Sequence, residues 1–257
     1  MKIHLLNCSI NSLVVAVIPT VNPNSPKIKG LIKDLHSNEV DCIVVEESVE
    51  NFSLSKCMNV GINHAIDLGI YKIVILSDDT IKNINGLKEM ILYVWSNRDT
   101  YSTPFINGIS MKITIISSPF QYTMHQSVQN KAPFFARKVV KTFNWKNRNI
   151  AIGCPTLFSN GMLSVLPFSV FDIDILRTFL FDEKIVNGFE DDEFTFRLNK
   201  SGIYGMTNKR WNVNTDALNN EENLNHKYVT LLKTHKIEQL IKNGEYFYRK
   251  YFKQKVI

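Results

Sequence analysis

Three short runs of apolar, mostly β-branched residues fix what this chain can become: Leu13-Val14-Val15-Ala16-Val17-Ile18, Cys42-Ile43-Val44-Val45 and Ile73-Val74-Ile75-Leu76. Runs of four to six residues without polar alternation read as strands buried on both faces. Helical patterns fill the two gaps. In the first, Ser25 and Pro26 supply an N-cap and a first helical position, and Ile28, Leu31, Ile32 and Leu35 make one apolar face ending near His36. In the second, Ser53 or Ser55 caps a helix through Asp67, with Met58, Ile62, Ala65 and Ile66 turned inward and Gly69 as its stop. Strand, helix, strand, helix, strand with short links predicts an α/β fold, a mostly parallel central sheet flanked by helices. Ligands of such sheets bind beyond the C-terminal strand ends. The fold would therefore deliver Pro19, Thr20 and Asn22, then Glu46 and Glu47, then Asp78 and Asp79, to one crevice.

Later elements are expected as a helix from about Asn85 to Trp95, strands at Met111 to Ile116 and Asn149 to Ile152, and a helix over Phe168 to Phe181. Another helix should start in the acidic cluster at Glu190 and run to Asn199, with Gly202 ending it. Phe120 to Trp145 has no steady period. No repeat or linker divides the chain, so residues 1–225 are expected to form one domain and 226–257 a basic amphipathic tail.

The charge distribution supports that division. The chain carries 30 Lys plus Arg against 24 Asp plus Glu, and 8 of the basic but only 2 of the acidic residues lie in 226–257. A neutral body with a basic tail excludes a domain-wide nucleic-acid surface and leaves a local contact with phosphate or anionic lipid. Ile237, Leu240, Ile241, Phe247, Tyr248, Tyr251 and Phe252 could form a stripe that docks the tail on the body. Lys242, Arg249, Lys250, Lys253 and Lys255, within 236–255, could instead meet anionic headgroups while the aromatics enter the interface. Cys8, Cys42, Cys57 and Cys154 have no CxxC spacing and read as reduced, small hydrophobes. With neither a signal peptide nor a membrane span legible, a cytoplasmic protein is expected, with the cytoplasmic membrane face as a peripheral option.

Two acidic segments carry the candidate chemistry. Asp78-Asp79 could be a solvated turn capping the next element, yet adjacent carboxylates after a central strand repel unless a cation or donors compensate. Oxygen ligands of this kind favour Mg²⁺ or Mn²⁺ bound together with substrate phosphate. Glu190-Asp191-Asp192-Glu193 could be only the acidic first turn of a helix. Phe189, Phe194 and Phe196 around it could also shield a carboxylate and raise its pKa towards that of a general base; periodicity does not choose between Glu190 and Asp191. The sequence lacks GxGxxG after Ile18, a GxxxxGK[ST] loop, a GxSxG elbow and HExxH, which removes the NAD(P), P-loop, α/β-hydrolase and zincin readings.

Taken together, several segments resemble the GT-A glycosyltransferases of family 2. Val14-Val15-Ala16-Val17-Ile18-Pro19-Thr20-Val21-Asn22 is similar to the family's VSVVIPTYN opening, and Val44-Val45-Glu46-Glu47-Ser48 to its second strand with an acidic end. Leu54-Ser55-Lys56-Cys57-Met58-Asn59-Val60-Gly61-Ile62 resembles the LSxARNxGI helix, and Ser77-Asp78-Asp79 stands at the DxD position. Asn160-Gly161, Leu180-Phe181-Asp182-Glu183 and Gly188-Phe189-Glu190-Asp191-Asp192-Glu193-Phe194-Thr195-Phe196-Arg197-Leu198 resemble the acceptor-side glycine segment, the FDE turn and the GxEDxDLxxRL helix. The likeness spans roughly residues 13 to 207. Ser77 departs from the first Asp of DxD, Met58 from the usual Arg, and Asn214 from a His, for which His226 is the nearest substitute.

The resemblance implies a GT-A fold with a nucleotide-binding half at about 1–100 and an acceptor-side half at about 101–225. It implies an inverting glycosyltransferase using Mn²⁺ or Mg²⁺ and a UDP-, dTDP- or GDP-linked sugar. Asp79, Asp78 and His226 would hold the metal. Pro19, Thr20, Asn22, Glu46, Glu47 and Asn59 would meet the nucleotide, together with Asp78 and Asp79. Asp191 would be the base, with Glu190 beside it. A glycan, lipid-linked or protein acceptor is expected, and no specific nucleic acid.

Overall fold

The computed structural model describes residues 1–6, 12–77, 82–107, 114–118, 121–124, 126–127, 136–137, 140–145, 148–153, 166, 168–186, 190–206 and 210–214, and the helical positions 239, 242, 243, 246 and 250. The first half runs β1 (Lys2–Leu6), β2 (Val14–Thr20), α1 (Pro26–His36), β3 (Asp41–Glu46), α2 (Leu54–Asp67), β4 (Lys72–Leu76), β5 (Lys82–Asn85), α3 (Leu87–Ser96), β6 (Thr100–Ser102) and β7 (Phe105–Asn107). A set of strands comes next as β8 (Thr114–Ser118), β9 (Gln121–Met124), β10 (Gln126–Ser127), β11 (Ala136–Arg137), β12 (Val140–Trp145) and β13 (Arg148–Gly153), paired as three antiparallel ladders. The chain returns to the body with β14 (Phe168–Asp172), α4 (Ile173–Thr178), α5 (Glu190–Lys200), β15 (Tyr204–Met206) and β16 (Asn212–Asn214).

Seven strands form the central sheet in the order β1-β3-β2-β4-β14-β6-β15. The pairs β2/β3, β2/β4 and β6/β15 are parallel, while β1 and β14 run against their neighbours. Five strands thus share one direction and two oppose it. The α/β architecture with a mostly parallel sheet and flanking helices, expected from the sequence, is the one observed.

The three apolar runs are buried on both faces, as their lack of alternation requires. Val15, Val17, Ile43, Val45, Ile73 and Ile75 face α2, α4 and α5 through Cys57, Met58, Ile62, Ala65, Leu176, Phe194 and Leu198. Ala16, Ile18, Cys42, Val44, Val74 and Leu76 face α1 and α3 through Ile28, Leu31, Leu35, Leu87, Met90 and Val94. Gly61 lets α2 lie against the sheet, because a Cβ there would stand 2.3 Å from Val17 Cγ1. The expected caps are in place: Ser25 accepts from Ile28 N–H, Ser53 rather than Ser55 accepts from Lys56 N–H, and Gly69 follows α2 with φ +73°. Cys42 and Cys57 are buried free thiols, and burial pushes the Cys57 thiol up, keeping it a protonated hydrophobe.

One expectation is corrected, and one strand is new. The helix read over Phe168 to Phe181 is a strand followed by a short helix: β14 inserts antiparallel beside β4, and Asp172 caps α4 by accepting from Asp174 N–H. Lys2–Leu6, which the sequence reading leaves unassigned, is a strand pairing antiparallel with β3 at the sheet edge. Among the described residues no helix is long and apolar enough to cross a membrane.

Three of the described tail residues touch the body. Asn243 Nδ2 donates to the Val186 carbonyl at 2.9 Å, Tyr246 Oη donates to Asp182 at 2.8 Å, and Lys250 Nζ reaches Asp182 and Glu193 at 2.7 Å each. The apolar stripe expected to dock the tail lies outside the described residues; the contacts observed are polar. Lys250, one of the five tail cations, is ion-paired with Asp182 and Glu193.

Candidate active site

The C-terminal ends of β2 and β3 lie side by side, with Thr20 opposite Glu46 in the parallel register and Glu47 N–H donating to the Thr20 carbonyl at 3.1 Å. Thr20 is 1% exposed and its hydroxyl oxygen accepts from Asn22 N–H, while Asn22 Oδ1 accepts from Asn24 N–H. These turns lead into the Ser25 cap, so α1 opens at the same edge with its dipole positive end towards the crevice. Pro19, one place earlier in β2, is buried as well.

Both glutamates at the end of β3 have partners. Glu46 Oε2 lies 2.7 Å from His4 Nε2, an approach that the β1/β3 pairing creates. Ser48 N–H donates to Glu47 Oε1 at 2.8 Å and holds its carboxyl below the ordinary carboxylate range, helped by the Met1 ammonium 3.5 Å from Oε2. Glu47 is therefore anionic at neutral pH.

The N-terminus of α5 comes to this edge through topology. Residues 201–203 join α5 to β15, and β15 points the same way as β4, so α5 runs back down the sheet from the C-terminal strand ends. Its descent is fixed by Phe194, which stacks on Phe181 at 4.3 Å and meets Phe171 edge-on at 6.0 Å. An independent contact agrees. Ser55, in the first turn of α2 and hence at the same edge, donates to the Ile185 carbonyl at 2.9 Å, five residues before Glu190. Of the two candidate bases, Glu190 is 9% exposed and Asp191 is half-buried. Asp191 thus offers the surface an incoming hydroxyl could reach.

Asn59 is spent on the fold. Its Nδ2 donates to the Phe181 carbonyl and to Glu183 Oε1 at 2.9 Å each, its Oδ1 accepts from Phe181 N–H at 2.8 Å, and the residue is 3% exposed. These bonds give Asn59 a structural role: it locks the 181–183 turn to α2. Nothing local in the sequence signals a contact 122 residues away.

Asp78, Asp79 and His226 lie outside the described residues. Among the described residues no three His, Cys, Asp or Glu side chains gather as a metal site. Of the described acidic groups at this edge, Glu46 is engaged with His4, and Glu47 with Ser48 and Met1.

No protein-family model matches the chain. No curated protein matches it either. Solved structures do show likeness at low identity. "Crystal Structure of A197 from STIV" is 11% identical with a TM-score of 0.40, covering 77% of this chain and 82% of that one. "Crystal structure of S. aureus TarS 1-349" is 13% identical with a TM-score of 0.44, covering 94% and 73%. "Crystal structure of GalNAc-T7 with UDP, GalNAc and Mn2+" is 10% identical with a TM-score of 0.45, covering 95% of this chain and 52% of that one.

Proposed function

We propose that this chain is a GT-A glycosyltransferase that moves a sugar from a nucleotide-diphosphate donor to an acceptor hydroxyl with inversion, Asp191 serving as general base. The observation that carries the reading is the meeting at one sheet edge of Thr20, Glu46 and Glu47 with the N-terminus of α5, where Asp191 keeps accessible surface. The order of motifs that resembles family 2 supports it. The donor's base and ribose would lie along Thr20 to Asn22 and Glu46-Glu47. A divalent cation held by Asp78 and Asp79, with His226 as a further ligand, would neutralise the leaving diphosphate. Asp191 takes the proton from the acceptor oxygen as that oxygen attacks the anomeric carbon and the donor's C–O bond to the diphosphate breaks. Glu190, more buried at the same helix end, supports the position of the base.

A second reading, a GT-A-like module that binds nucleotide or glycan without turnover, draws on Met58. This residue stands where the resembled helix usually has Arg, and it is fully buried in the core. Transfer from a panel of UDP-, GDP- and dTDP-sugars with Mn²⁺ or Mg²⁺ separates the two. For the enzyme, Asp191→Asn is expected to lower kcat by about a hundredfold or more while nucleotide affinity, read by calorimetry, stays near wild type. Full activity in that variant removes Asp191 as the base, and nucleotide binding with no product from any donor favours the module.

A further inference from the structure

The segment from Asp182 to Glu193 carries both candidate carboxylates, Glu190 and Asp191, and one tail side chain grips it at both ends. Lys250 Nζ lies 2.7 Å from Asp182 Oδ2 and 2.7 Å from Glu193 Oε1. Glu193 is fully buried, and a carboxylate without water needs compensating charge. Arg197, one turn further along α5, supplies part of it through Nε at 3.0 and 3.2 Å and Nη2 at 3.0 Å, and Nη2 also donates to the Leu180 carbonyl. Lys250 adds a second cation from outside the helix. Tyr246 and Asn243 place it there, binding Asp182 and the Val186 carbonyl from the same face of the tail.

We propose that Lys250 is a positioning residue: by bridging Asp182 and Glu193 it ties the first turn of α5 to the turn at Asp182, so that the tail sets the placement of the catalytic carboxylate. This rests on the transferase reading for its catalytic half and stands on the contacts alone for its structural half. Holding Asp182 and Glu193 on one ammonium limits how far the first turn of α5 can shift relative to Asp182. A displacement of about 1 Å between a base and its target can cost about a hundredfold in rate.

The test compares full-length wild type, Lys250→Met, which keeps the length and removes the charge, and Lys250→Arg, which keeps the charge. Amide hydrogen exchange over 186–194 is measured with the donor kinetics. Expected in Lys250→Met are faster exchange over this segment, kcat lower by about tenfold to a hundredfold, and a donor KM within about twofold of wild type, with Lys250→Arg recovering most of both losses. Exchange unchanged in Lys250→Met overturns the tether, whatever the kinetics. Faster exchange with wild-type kcat overturns the catalytic half. Should wild type transfer no sugar from any donor, the transferase reading and the catalytic half fall with it, and the exchange data still decide the tether. If Lys250→Met does not fold, Asp182→Asn weakens the same bridge at its less buried end and is read by the same two measurements.

Discussion

Gly61 shows how much one absent methyl group decides. It sits in the middle of α2, where glycine costs about 1 kcal/mol against alanine in propensity, yet its missing Cβ leaves room for Val17 Cγ1 and Val45 Cγ2. The branched valine contacts cannot swing aside in a packed sheet, so the steric term outweighs propensity. Gly61→Ala is expected to destabilise the protein by about 1 to 3 kcal/mol in urea unfolding, and a stabilised variant would mean that α2 does not press on β2. At this scale the sequence is readable wherever the signal is local. The caps at Ser25 and Ser53, the stop at Gly69 and the buried thiols follow from neighbours in the chain. Asn59 is legible only as part of a resembled motif, and its three hydrogen bonds to Phe181 and Glu183 give the motif a mechanical purpose that spacing could not reveal.

Among the elements, β14 escapes a reading by pattern because Phe168 to Phe181 is one long apolar stretch in which a five-residue strand passes into a six-residue helix. Periodicity cannot separate two buried elements so short; the usable signal is Asp172, an N-cap in the middle of the run. The tail is legible as a helix, but its polar docking depends on Asp182 and Glu193, whose burial only the fold determines. Burial works against charge on Asp182, but hydrogen bonds from Lys250, Tyr246 and the Lys184 amide prevail and hold its carboxyl below the ordinary range. Burial and the neighbouring Asp182 push the Tyr246 hydroxyl up, with Lys250 opposing and Glu193 reinforcing. The lowered acid contributes stability above its unfolded value of about 4, lost as pH falls through the lower folded value. The raised phenol contributes below its unfolded value of about 10, lost as pH rises through the higher folded value. Tail docking is therefore expected to hold between about pH 4 and 10. Thermal midpoints of wild type and Tyr246→Phe should diverge near neutrality and converge at the alkaline end; parallel profiles at every pH would remove this pair from the docking energy.

For the whole molecule, the strand and helix order of the first hundred residues is readable because each strand there is continuous and each connecting helix has one apolar face. The later part resists such a reading, because the sheet is completed by β14, β6 and β15, brought together from distant parts of the chain. Described residues of the tail contact Asp182, Val186 and Glu193. A chain ending at residue 225 is expected to melt several degrees below the full chain, since it leaves the buried Glu193 with Arg197 but without Lys250; an unchanged midpoint would show the tail to be thermally idle.

Lys72 and Asp172 meet at 2.6 Å on the final rung of the β4/β14 ladder, both almost wholly enclosed, with the ammonium 3.9 Å from the centre of the Trp95 ring. A strand arriving about a hundred residues late has several greasy alignments open to it on β4. Sliding by two positions would strand one enclosed charge opposite a hydrocarbon neighbour, so only one alignment is cheap. The pair thus works as a key cut for a single lock, rejecting near-miss pairings while the sheet assembles.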